Sequence, residues 1–189
     1  MNIRLFAAIA LPEDVNDELE LLATGLPGAR WSPPERRHLT VRFIGEVDGL
    51  VYQDVAAALH RVQADPFELS LHGVGHFPPR GAPKTLWAGV SESEPLRALH
   101  RRVDRVMVEA SLEPERRKFV PHVTLARLNG TPASRVGDYL ASHALYRSRA
   151  FEVTQLHLFS SRLFTHGPEY TLEETYELSS ARDPFPEAG

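Results

Sequence analysis

HLTVRFIGEV, residues 38–47, and FVPHVTLARL, residues 119–128, are the two stretches from which the rest of the chain can be read. Each alternates apolar and polar side chains in the period of a β-strand. Each also carries the pattern His-x-Thr-hydrophobic, at His38 and again at His122, 84 positions later. In a strand, residues i and i+2 point to one face. Each motif therefore presents an imidazole beside a hydroxyl and sends its apolar residues to the other side.

Outward from these strands, Arg4 to Ala10 reads as a compact apolar strand, and Pro12 to Ala23 as a helix with Val15, Leu19 and Leu22 at helical spacing. The segment from Gly25 to Pro34 reads as a loop. A second helix is expected from Val51 to Val62. Phe67 to Phe77 and Thr85 to Val90 read as strands around the break PPRGAPK. Leu96 to Ala110 and Ala133 to His143 read as helices, and Ala150 to Ser160 and Tyr170 to Leu178 as the last two strands. Strands interleaved with about four helices describe an α/β or α+β domain, and periodicity does not choose between them. With 189 residues the chain suits one domain, taken as 1–180, with ARDPFPEAG expected to fray as a tail over 181–189.

Composition narrows the chemistry. There is no cysteine, so disulfides, cysteine-bound metals and thiol nucleophiles are excluded together. The apolar run near the N-terminus is short and closed by Pro12 and nearby acids, unlike a signal peptide or a membrane span, which points to a cytoplasmic protein. A net charge of −4 disfavours a protein that coats duplex DNA or long nucleic-acid tracts. Of 21 basic residues only Lys84 and Lys118 are lysines, and the planar fork of arginine suits phosphate.

Two such strands facing across a cleft would bring two imidazoles to one reacting atom, as an in-line displacement at phosphorus requires. Histidine titrates near pH ~6.5, so one ring can accept a proton while the other supplies one, with no metal and no cofactor. Thr40 and Thr124 can bind the non-bridging oxygens, where charge accumulates. Regular alternation sends Arg127 to the face opposite His122, so a phosphate role for it needs a bulge or strand end near Ala126. A single HxT on a strand is common by chance. Two of them, each opening an apolar alternation, carry the signal.

These motifs resemble the signature of the 2H phosphoesterase superfamily. RLFAAIALP at Arg4 to Pro12, Trp31 ahead of RRHLTVRFIGEV, GHFPPR, LWAGV, FVPHVTLAR and LFSSRL together resemble its RNA 2',3'-cyclic phosphodiesterase branch, formerly called 2'-5' RNA ligase. The resemblance spans almost the whole chain. It implies an α+β, bilobal fold with two antiparallel sheets flanked by helices around a central groove. It implies hydrolysis of a terminal 2',3'-cyclic phosphate to a 2'-phosphate, with His38 as general acid on the 3' oxygen and His122 as general base on water. It also makes Arg127, in HVTLAR, a phosphate ligand. Members of the family stack the terminal base, for which Phe43, Phe77 and Phe119 are candidates, although each suits a core aromatic equally. The implied partners are RNA 3' ends or small cyclic nucleotides, met by a monomer away from membranes.

Other readings make different demands. A ligase driven by ATP would need a GxxxxGK loop followed by Ser or Thr, or a Lys-x-Asp-Gly motif, and neither is present. Joining cyclic-phosphate and 5'-hydroxyl ends by reversed transesterification would use the same acid-base pair. A metal hydrolase would draw on the nine histidines, but GVG separates His72 from His76 in a strand or loop, which puts no two ligands on a helix face. A non-catalytic binder of RNA ends would hold phosphate without turnover.

Overall fold

The structure, a computed structural model, describes residues 2–165 and 167–179. In chain order the elements are β1 (Ile3–Ala10), α1 (Glu13–Glu20), β2 (Ala29–Trp31), a 3-10 turn (Pro34–Arg36), β3 (His38–Val47), α2 (Gly49–Leu59), β4 (Phe67–Leu69), β5 (Leu71–Phe77), β6 (Thr85–Val90), α3 (Glu94–Glu109), β7 (His122–Leu128), α4 (Ala133–Ser142), β8 (Phe151–Val153), β9 (Gln155–Phe164) and β10 (Gly167–Glu177). The expected tail over 181–189 lies outside the described residues.

The fold is α+β and antiparallel. Its main sheet runs β10-β9-β1-β3-β7-β6-β5, with β2 added beside β7, and β4 and β8 make a separate two-stranded ribbon. The expected two sheets are joined edge to edge. One half holds β10, β9, β1 and β3, and the other holds β7, β6, β5 and β2. They meet through a single register pair, Leu39 with Val123. Neither half is a sequence half, because the C-terminal hairpin returns to β1 while β2 crosses to β7.

Helices form where capping and apolar spacing agree. Ser93 caps α3 through its Oγ to the Leu96 N–H, and Leu96, Leu99, Val103, Val106 and Met107 form the buried stripe. Burial of each such side chain stabilises the fold by about 2 kcal/mol. Asp48 caps α2 by accepting from the Leu50 and Val51 N–H groups. On α4, Tyr139 Oη donates to the Leu22 carbonyl, tying that helix to the chain after α1.

Several boundaries differ from the sequence reading. The stretch expected as one strand from Phe67 to Phe77 divides at Ser70, because β4 pairs with β8 while β5 pairs with β6. Ala150 to Ser160 likewise divides into β8 and β9. The strand expected from Phe119 begins only at His122, after Pro121, which has no N–H for a ladder. Within the expected Gly25 to Pro34 loop lies the three-residue strand β2, and the first helix stops at Glu20 in place of Ala23.

Candidate active site

The two HxT motifs cross at the junction of the half-sheets. Leu39 and Val123, the middle residues of the motifs, are antiparallel partners and fully buried. One step along that register in either direction sets His38 opposite Thr124 and Thr40 opposite His122. All four of these side chains are half-buried and line one groove of about 1400 Å³.

The same local geometry is built twice. From the histidine onward, residues 38–43 and 122–127 show the same order of half-buried, buried, half-buried, buried, buried and exposed positions. The two consecutive buried positions come from a β-bulge. Val41 has no partner between the pairs Ala8–Thr40 and Ala7–Arg42, and Leu125 has none between Trp87–Thr124 and Leu86–Ala126. One extra residue restores the face that alternation would have lost. Arg127 therefore opens onto the groove with His122 and Thr124, and Phe43 does so with His38 and Thr40.

The imidazoles are held alike. His38 Nδ1–H donates to the Arg36 carbonyl at 3.0 Å, and His122 Nδ1–H to the Val120 carbonyl at 2.7 Å. Each neutral ring so oriented keeps Nε2 unprotonated for chemistry. Their surroundings differ. Phe6 stacks on His38 at 4.7 Å, and Tyr170 meets it edge-on at 5.1 Å. Desolvation in this aromatic cage lowers the His38 pKa to about 4, with a smaller lowering from the nearby His122. His122 meets the edge of Phe77 at 4.9 Å, and burial followed by the Arg127 charge lowers its pKa.

Charge in the groove runs against that of the chain. Seven Lys and Arg side chains and two carboxylates line it, while the protein carries −4 overall. Low-dielectric walls focus such a local field onto an anion. Arg127 Nη1 donates to Thr85 Oγ1 at 2.7 Å, which fixes the guanidinium at the groove wall. By contrast Arg37, beside the motif, is structural: it is buried and bonded to the carbonyls of Ser32 and Asn16 and to Glu20.

The three aromatic candidates all line the groove, in different settings. Phe43 is 59 % exposed. Phe77 lies between His122 and Trp87. Phe119 stacks face to face on His100 at 4.0 Å, in the segment that leads to β7. That segment is held by buried Arg42, whose guanidinium reaches Asp104 and Glu115 at 2.9 and 3.1 Å. Sequence reasoning missed Phe6, Tyr170, Arg30, Arg36 and His100, which also line the groove. Of these only Arg36 carried a local signal, in the RRH that opens the first motif. His72 and His76 lie on β5, and no group of three or more His, Asp or Glu side chains is gathered to hold a metal among the described residues.

The sequence pattern of the 2'-5' RNA ligase superfamily matches residues 17–163. An RNA 2',3'-cyclic phosphodiesterase of Aeropyrum pernix is 34% identical over 84% of this chain and 92% of its own. One from Thermus thermophilus is 34% identical over 93% of this chain and 90% of its own. Among solved structures, TT0787 of Thermus thermophilus superposes with a TM-score of 0.79 at 29% identity, covering 94% of this chain and 98% of that one. A match over most of the sequence, joined to a shared fold and to paired HxT strands at its centre, makes this chain a member of the 2'-5' RNA ligase superfamily, within the 2H phosphoesterases.

Proposed function

We propose that this protein hydrolyses RNA 2',3'-cyclic phosphate ends to 2'-phosphates, by acid-base catalysis between His38 and His122 without a metal ion. The observation that carries the reading is the antiparallel crossing of the two HxT motifs at Leu39 and Val123, with both imidazoles and both threonines lining one groove. Relatives named RNA 2',3'-cyclic phosphodiesterase support the substrate class.

In this reading the cyclic phosphate sits over the crossing. Nε2 of His122 takes a proton from water, the water oxygen bonds to phosphorus, and the bond from phosphorus to the 3' oxygen breaks. His38 gives its proton to that oxygen, leaving the phosphate on the 2' position. Thr40, Thr124 and Arg127 hold the non-bridging oxygens as their charge grows. The cage that lowers the His38 pKa makes its protonated form a strong donor, and a bound phosphate anion favours that form. Phe43, Phe77 and Phe119 offer faces for the terminal base. One chain supplies both motifs of the groove, which supports a monomer as the working form.

The test is an oligoribonucleotide with a 2',3'-cyclic end, incubated with the protein in EDTA. Accumulation of the 2'-phosphate is expected, and His38→Ala and His122→Ala should each remain folded while losing at least ~10²-fold in rate. A 3'-phosphate product, or activity that vanishes in EDTA and returns with a divalent cation, would overturn the reading. Adding a 5'-hydroxyl RNA to the same mixture measures the joining reaction, in which that hydroxyl replaces water as the nucleophile at phosphorus.

A further inference from the structure

The arginines of the groove divide into two kinds. Arg4 is paired with Glu46 at 3.0 Å. Arg30 and Arg36 have no carboxylate partner among the described residues, yet both line the groove beside Arg127. Arg30 is the direct antiparallel partner of Arg127 in the β2–β7 pair, so the two side chains share a face. Arg36 precedes His38 by two residues, and its guanidinium rests on the backbone of Gly167 at the start of β10. A Cβ there would come within 2.9 Å of Arg36 Nη1.

Tyr170, three residues further along β10, stands edge-on to His38, and no hydrogen bond to its hydroxyl is formed among the described residues. Burial raises its pKa, while the Arg127 and Arg36 charges act in the opposite direction. Three guanidinium groups and a phenol thus line one groove with the histidines. The cyclic phosphate is a single monoanion, and Arg127 with the two threonines already accounts for it. A cluster of like charge without carboxylates is unfavourable until an anion enters it.

Building on the function proposed above, we propose that Arg30, Arg36 and Tyr170 form a second phosphate subsite, one ribose away from the histidines, which holds the 5'-phosphate of the terminal nucleotide. The consequence is a substrate preference. A nucleotide with a phosphate at both ends of its ribose is turned over faster than a nucleoside with the cyclic phosphate alone.

Three probes test this: uridine 2',3'-cyclic phosphate, the same compound with a 5'-monophosphate, and a dinucleotide ending in the cyclic phosphate. The 5'-phosphorylated probes should exceed the first by at least ~10-fold in kcat/KM, the usual scale of a charge-assisted contact. Arg30→Gln and Arg36→Gln should bring that ratio towards one, and Arg36→Lys should keep part of it. Arg97→Gln, which changes the same net charge at an arginine outside the groove that is paired with Glu92, should leave it in place. An advantage shared by the dinucleotide assigns the subsite to RNA, and one confined to the monoester assigns it to free nucleotides. A ratio near one in the unaltered protein, a ratio that survives both arginine changes, or an equal fall in Arg97→Gln would each overturn the subsite. If none of the three probes is hydrolysed, the failure lies with the proposed function itself.

Discussion

HLTVRF at 38–43 and HVTLAR at 122–127 share one backbone plan, with the same bulge, the same buried positions and the same carbonyl clasp on the histidine Nδ1. They differ at the sixth residue and in what stands across from it. Arg127 pairs in register with Thr85 and is hydrogen-bonded to it, whereas Phe43 pairs with Phe6, their ring centroids 6.1 Å apart. One wall of the groove is polar and cationic. The other is aromatic and encloses His38. The duplicated backbone supplies two imidazoles clasped alike, and under the proposed function the unequal sixth positions give the groove a direction, with phosphate towards Arg127 and base towards Phe43.

The sharpest way to break this comparison is to remove the unequal residues one at a time. Arg127→Ala should lower kcat by about 10²-fold, the scale for losing a preorganised donor to a developing oxyanion. Placing an arginine at the mirrored position, Phe43→Arg in the Arg127→Ala background, should not restore the rate, since Phe6 offers no oxygen to orient it.

The pH profile reads the two cages directly. Burial lowers both histidine pKa values, that of His38 to about 4. The pair works with one proton on it. Below both lowered values the two rings are protonated and no base remains, and above both they are neutral and no acid remains. Measured kcat/KM, which reports the free enzyme, should therefore peak on the acid side of pH ~6.5 and fall about tenfold per pH unit above the upper limb. A plateau extending well above neutrality would show that the cages do not act as described. A smaller effect is expected at the aromatic wall. Phe43→Ala should raise KM about tenfold with kcat nearly unchanged, as loss of one base stack does, and Phe43→Trp should keep KM close to its original value.

Much of this asymmetry was hidden from the sequence for physical reasons. The strands His38–Val47 and Thr85–Val90 were legible to the residue because each is an apolar-rich run that ends at a polar residue, Asp48 after the first and Ser91 after the second. Arg127 was not, since strict alternation points it away and only the bulge at Leu125 brings it back. Phe6 and Tyr170 read as ordinary strand residues, because their closeness to His38 is set by long-range pairing of β1, β9 and β10. Adjacent Arg36 and Arg37 look alike in the sequence. Backbone direction alone sends one into the groove and buries the other against α1. β2, three residues long, was too short for a period of two to register.

In the function proposed above, both imidazoles address one phosphate. The most direct measurement is a nitrogen-resolved NMR titration of the histidine rings with and without uridine 2'-phosphate, the product analogue. Binding should raise the pKa of His38 and His122 together, as a shared anion must. A rise at one ring while the other titrates unchanged would contradict it.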